Sequence, residues 1–150
     1  MEADGLHVKK ENEMKVKLID YDKFARKPER AHYNDAGLDC FISEQVVSVA
    51  PGEVVKVKLG FGIELPDGYV AFLLPRSSLN AKGIRVEIGT IDSGYRGEIQ
   101  AVVHNNTVSY IDLTKGMKIA QLVVMPVTYV DLVDELNNDR GSGGFGSTGK

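Results

Sequence analysis

The sequence has a single cysteine, no tryptophan, five prolines and only 7% aromatic residues. With Cys40 alone, an intramolecular disulfide framework is excluded, as is a zinc site built on two or more thiolates, including the usual zinc site of nucleobase deaminases. A reducing compartment, the cytoplasm, is the expected location. Long apolar runs are missing too. The longest is Tyr69 to Leu74, and no N-terminal stretch resembles a signal peptide, so neither a membrane-spanning helix nor secretion is expected. Positive charge is not in excess: 18 Lys plus Arg stand against 21 Asp plus Glu, a net charge of −3. That balance argues against stable nucleic-acid binding by bulk electrostatics, and an anionic ligand would need local positive charge. Helical periodicity is scarce, and no internal repeat is found.

What is present fits one domain. The 150 residues, 43% hydrophobic and 26% charged, suffice for one buried core. Residues 1–13 are polar and aperiodic and read as a mobile extension or an expression remnant. From Met14 to about Asp131, short runs of Val, Ile and Leu are broken by Gly, Pro, Asn and Asp, the pattern of about ten strands. Lys15–Leu18 and Val55–Leu59 alternate polar and apolar residues, which puts one face in a core. Tyr69–Leu74 and Leu122–Met125 are continuously apolar, as in strands covered on both faces or lying against another subunit. Helical segments are expected at most over Asp20–Lys27, Ser77–Ala81 and Asp131–Leu136. The fold class is all-β, a sandwich, jelly roll or small barrel, with a domain over 14–139 and a flexible glycine-rich tail over 140–150.

Several segments could carry chemistry. Gly144–Lys150 matches a phosphate-loop spacing and Gly144–Gly149 a dinucleotide-binding one. Both motifs need a strand before and a helix after, and no helix-forming sequence follows. The tail still offers backbone amides, Ser147, Thr148 and Arg140 to an anion, and Phe145 to a base; a plain Gly/Ser tail is the alternative. Pro75–Gly83, after the most apolar strand, gathers Arg76, Ser77, Ser78 and Lys82, donors suited to a phosphate, or forms a polar turn with Ser as helix cap. Gly89–Gly97 reads as a hairpin whose Ser93-Gly94 turn sets Asp92 opposite Tyr95, a candidate general base beside a flat platform, or ordinary turn chemistry. Asp39 sits among apolar residues and could touch a metal-bound water or pair with a backbone donor. Gln121 interrupts an apolar strand and must find partners. His7, His32 and His104 lack metal-ligand spacing and read as surface or structural residues.

Taken in order, these segments resemble the five motifs of the homotrimeric dUTPase family. They are Ala36-Gly37-Leu38-Asp39; Pro75-Arg76-Ser77-Ser78-Leu79 with Lys82-Gly83; Gly89-x-Ile91-Asp92-x-x-Tyr95-Arg96-Gly97-Glu98; Gly116-Met117-Lys118-Ile119-Ala120-Gln121-Leu122; and Arg140-Gly141-x-Gly143-Gly144-Phe145-Gly146-Ser147-Thr148-Gly149. Cys40 departs from the first motif, where an apolar residue is usual. The resemblance implies a jelly-roll-like β-barrel subunit in a homotrimer with shared active sites, hydrolysing dUTP to dUMP and diphosphate with Mg2+ on the triphosphate. It implies that Asp92, helped by Gln121, activates the attacking water, and that Arg76, Ser77 and Ser78 hold the phosphates. Asp39 would accept from water on the metal. Tyr95 would pack under the deoxyribose, and uracil would be read by backbone groups near Val86 to Gly89 and by Ile91 in the hairpin. The tail would close over the complex with Phe145 stacking on uracil, Arg140, Ser147 and Thr148 contacting the γ-phosphate, and Gly146 among the substrate-binding residues. The dCTP deaminases share the fold and parts of the second motif, but lack this Tyr95 and this tail.

Overall fold

The computed structural model describes residues 14–136, so the expectations for the leader and for the tail residues Arg140, Phe145, Gly146, Ser147 and Thr148 lie outside the described residues. The strands are β1 (Lys17–Asp20), β2 (Leu38–Phe41), β3 (Val46–Val49), β4 (Val54–Lys58), β5 (Phe61–Glu64), β6 (Tyr69–Leu74), β7 (Ile84–Val86), β8 (Gly89–Ile91), β9 (Gln100–Asn105), β10 (Ile111–Thr114) and β11 (Lys118–Pro126), with one helix, α1 (Ser77–Ala81). All pairings are antiparallel. A four-stranded sheet runs β2-β11-β6-β8, a three-stranded one β4-β9-β7, and two ribbons pair β1 with β5 and β3 with β10. The all-β, jelly-roll-like expectation is met, as short sheets around one core.

Alternation decides which residues enter that core. In β4, Val57 is fully buried while Lys56 and Lys58 are exposed. Phe61, Leu73, Val103, Leu113 and Ile119 are buried from different strands and pack as one cluster with Ile42 and Leu59 of the connecting segments. β6, continuously apolar, and the apolar run Leu122–Met125 within β11 bury one face through Ala71, Leu73 and Leu122 and leave the other half covered at Phe72, Leu74 and Val123.

Two helical expectations fail for identifiable reasons. Over Asp20–Lys27 the chain turns instead, because carboxylates capture the amides a helix would use: Asp20 Oδ1 accepts from the Asp22 amide at 3.1 Å and Asp22 Oδ1 from Phe24 at 3.0 Å. Residues 131–136 hold no helix; Leu132, Val133 and Leu136 are exposed, and so short a helix without packing is unstable. α1 forms as expected. Leu79 anchors it in the core, and Gly83, at φ +85°, ends it in a conformation only glycine adopts cheaply.

Asn105 is the buried polar residue that the sequence reading overlooked. Its amide nitrogen donates to Val49 O at 2.9 Å and Ser109 O at 2.8 Å, and its oxygen accepts from the Thr107 amide and hydroxyl at 2.9 and 2.7 Å. Every polar atom is satisfied, so it ties β9 to β3 and closes the following turn. Asn105→Ala is expected to destabilise the fold by about 2–3 kcal/mol, read by urea denaturation.

Cys40 is fully buried on β2, and burial, with the neighbouring Asp39 carboxylate adding, pushes its thiol up to about 12. The folded state therefore keeps a proton that the unfolded chain releases from about pH 9, so this contribution is complete below pH 9 and is lost as pH rises towards 12. Stability between pH 8 and pH 11 is expected to fall more steeply for the wild type than for Cys40→Ala. The native thiol should also be silent to a thiol reagent until unfolding.

Candidate active site

The first group of functional side chains gathers at one end of the four-stranded sheet. β11 is central there: Gln121 lies opposite Asp39 of β2 on one side and Leu74 of β6 on the other, so all three share a face. Gly37 makes room for the amide, since a Cβ there would stand 3.0 Å from Gln121 Oε1 and 3.1 Å from Leu122 O. Asp39 is held from its other edge by a bridge to Glu29, with bonds of 2.7 and 3.1 Å, and its carboxylate pairs with Lys118 Nζ at 3.2 Å. Lys118 was not singled out from the sequence. By strict alternation it faces away from Gln121, but a bulge between Lys118 and Ala120 reverses the parity and turns it towards Asp39.

Arg76 leaves β6 two residues after Leu74. It is half-buried, and its Nη1 donates to Lys118 O at 3.1 Å, which aims the guanidinium across the end of β11. Ser77 and Ser78 open α1 and are exposed, and neither caps it: the cap position is Arg76, with no side-chain hydrogen bond. The expected Ser cap is thus not used, and the hydroxyls are left to other partners. Asp39, Arg76, Ser77, Ser78 and Gln121 form one polar corner, in which Lys118 and Arg76 supply local positive charge.

The second group surrounds a small cavity of about 280 Å3 lined among others by Lys56, Leu73, Gly89, Ile91, Tyr95 and Glu98. The turn at Ser93-Gly94 is present, with the Tyr95 amide donating to Asp92 O at 3.0 Å. The hairpin around it is not. β8 pairs with β6, whereas the strand after the turn, β9, pairs with β4 and β7, because the chain after Tyr95 is drawn to β5 by the Ile99 amide donating to Phe61 O at 2.8 Å. Val86 turns its side chain into the core, which leaves only main-chain groups to a ligand; Gly89 and Ile91 reach the cavity wall. Tyr95 is 47% exposed, and its hydroxyl donates to Glu98 O at 2.9 Å. The Asp92 carboxylate is exposed and makes no hydrogen bond or ion pair among the described residues. His32 and His104 pair with Asp35 and Glu87 on the surface, as structural histidines would.

One copy does not join the two groups. Ile91 lies opposite Ala71, so Asp92 stands beside Val70, while Gln121 lies opposite Leu74. Four residues along a strand and two strand spacings across separate them by about 16 Å.

Comparisons with known proteins bear on the family. The dUTPase family model matches residues 23–149. A deoxyuridine 5'-triphosphate nucleotidohydrolase of Clostridium tetani is 43% identical over 144 residues, covering 91% of this chain and 97% of the relative, and one of Thermobifida fusca is 48% identical over 81% and 72%. Among solved structures, the dUTPase of Staphylococcus bacteriophage 80alpha with dUPNHPP superposes with a TM-score of 0.79 at 30% identity, covering 90% of this chain and 98% of that one. A mutant dUTPase of phage phi11 of S. aureus, described with a structural Mg(II) ion, superposes at 0.77 with 28% identity, covering 83% of this chain and all of that one. With its first four motifs on one jelly-roll-like frame and a family match that spans most of its length, the chain belongs to the dUTPase family.

Proposed function

We propose that this chain hydrolyses dUTP to dUMP and diphosphate, which limits uracil incorporation into DNA and supplies dUMP for dTMP synthesis, at sites shared between three copies. The observation that carries the reading is the Asp92–Tyr95 turn: an unpaired, exposed carboxylate follows directly on the wall of a cavity that Tyr95 helps to close. Phosphoryl transfer to water needs positioning and charge neutralisation more than a covalent nucleophile, and no activated nucleophile is on offer, since Cys40 is buried and protonated.

Asp92 takes the proton of the water that attacks the α-phosphorus and orients it in line with the leaving diphosphate. Gln121, an amide with donor and acceptor, holds that water or a phosphate oxygen from the polar corner. Arg76 offers a forked guanidinium to the phosphates, and the uncapped hydroxyls of Ser77 and Ser78 add donors beside it, Ser77 nearest the leaving oxygen. Tyr95 lies under the deoxyribose, Gly89 and Ile91 flank uracil, and the main chain near Val86 reads its edge. In the tail, Phe145 stacks on uracil while Arg140, Gly146, Ser147 and Thr148 contact the γ-phosphate.

The residues present fit Mg2+ brought by the substrate. No group of three or more His, Cys, Asp or Glu gathers among the described residues, so these build no cage; a Mg2+ ion held by phosphates and water needs only one nearby carboxylate, and Asp39 would supply it. When bound, the ion neutralises triphosphate charge. The Asp39–Lys118 pair is only partly buried, weak enough for Asp39 to turn to a metal-bound water.

Assembly into a homotrimer is supported by what one copy leaves uncovered. A groove of about 1160 Å3 is walled by Val16, Leu18, Phe61, Ile63, Leu122 and Val124, and the segment after β11 exposes Val127, Tyr129, Val130 and Leu132. The separation of Asp92 from Gln121 within one copy supports sharing: another subunit's polar corner can meet Asp92 where its own cannot. No helix among the described residues is long and apolar enough to cross a membrane.

Diphosphate release from dUTP, measured against dCTP, dTTP and UTP, tests the activity; release from dUTP alone is expected, and ammonia from dCTP would instead identify a deaminase. Asp92→Asn is expected to lower kcat about 10²- to 10⁴-fold with nucleotide affinity nearly intact, and retention of more than about a tenth of kcat would remove Asp92 as base.

Shared sites predict complementation. Inactive Asp92→Asn mixed with a chain truncated after Asp139 should recover activity, because some mixed sites receive Asp92 from one chain and the tail from another. No recovery, with subunit exchange verified by mass, would place both elements of each site in one chain.

A further inference from the structure

The segment that carries Asp92 and Tyr95 has almost no regular structure of its own, so its position depends on what holds it. Asp67 Oδ1 accepts from Ser93 Oγ at 3.1 Å near its start. The other anchors come from the β1/β5 ribbon and the loops at its ends, a part of the fold outside all five motifs. The Tyr21 hydroxyl, just past β1, donates to Arg96 O at 2.6 Å. The Gly60 amide, just before β5, donates to Glu98 Oε2 at 3.0 Å, and the Ile99 amide donates to Phe61 O at 2.8 Å. All three bonds fall within four residues of Tyr95.

Steric contacts link the same residues. A Cβ on Gly62 would stand 2.6 Å from Gly97 O and 3.0 Å from the Tyr21 ring, so both rest against bare backbone there. Gly97 in turn has no room for a side chain, because the Tyr95 ring and hydroxyl fold back over it. The order of contact is β5 backbone, Gly97 carbonyl, Tyr95 ring. A shift at Gly62 or a loosened Tyr21 therefore reaches Tyr95 within two residues.

We propose that Tyr21, Gly62 and Glu98 act as positioning residues that set the Tyr95 ring, and through it the rejection of ribonucleotides. The inference rests on the reading of Tyr95 as the surface under the deoxyribose. Rejection of a hydroxyl by contact works only where the wall is held to within about 0.5 Å, and a half-exposed ring on an irregular segment does not hold itself. Tyr21 supplies that restraint from outside the cavity, and Glu98, which lines it beside Tyr95, supplies it through its bond to the Gly60 amide.

The test is the ratio of kcat/KM for dUTP to that for UTP in Tyr21→Phe, Gly62→Ala, Glu98→Ala and Glu98→Gln, with Tyr95→Ala as reference. Tyr21→Phe loses one oxygen and keeps its ring over Gly62, so its melting temperature should stay near the parent's. Its ratio is expected to narrow about three- to tenfold, the scale of one hydrogen bond, mainly through a higher KM for dUTP and a maintained UTP rate. Gly62→Ala, pressing on a backbone carbonyl, should narrow it at least as much. Glu98→Gln still accepts from the Gly60 amide and should keep more of the ratio than Glu98→Ala. A purely structural role would lower both substrates together and leave the ratio unchanged. If Tyr95→Ala narrows the ratio while Tyr21→Phe and Gly62→Ala do not, the proposal is overturned and the sugar-contact reading stands. If Tyr95→Ala also leaves the ratio unchanged, that reading falls and the proposal with it.

Discussion

The register of β11 is the constraint on which the rest depends. As the longest strand, it is paired on both sides, to β2 and to β6, and both ladders place Gln121 at the same height as Asp39 and Leu74. A slip of one residue on either side would turn Leu122 outward and Gln121 into the core, exchanging apolar burial for an unsatisfied amide. The buried side chains Ile119, Ala120 and Leu122 prevent that slip, and the bulge at Ile119 is accommodated because both it and Ala120 stay buried. The same packing that stabilises the sheet therefore sets the polar corner.

Charge is arranged on this frame by local pairing. The net charge is negative, so an anionic substrate has to be met by cations concentrated at one corner. Lys118 neutralises Asp39 and its carbonyl holds Arg76, so one residue orders both signs of charge. Asp92, by contrast, lies on the far side of β6 with no cation bonded to it among the described residues.

The two halves of the site also differ in how they are held. The polar corner stands on paired strands and a short helix with a buried Leu79. The Asp92–Tyr95 side is a turn tied down by side chains and glycines: Tyr21, Glu98, Gly62 and Gly97. One group thus rests on ladders of main-chain bonds and the other on individual tethers.

Much was legible in the sequence because it is local. Alternation at Val55–Leu59 declared an exposed and a buried face, Ser93-Gly94 declared a turn, and Ser77–Ala81 declared a short helical segment. The order of the motif residues declared the family. Other features rest on contacts between distant parts of the chain. The Lys118–Asp39 pair depends on a bulge that no periodicity reveals, and Asn105 matters because four partners from two segments converge on it. Asp20 and Asp22 broke an expected helix by taking its amides, a competition that propensity alone does not rank. Gly89–Gly97 was expected to pair with itself and instead joins two different sheets, because strand pairing is decided by which edges the whole core leaves open. Sequence by itself thus determined the chemistry available and the fold class, which follow from residue type and period. Tertiary structure decided which of those residues meet, and that Asp92 and Gln121 of one copy do not, because that distance is set by strand order and register.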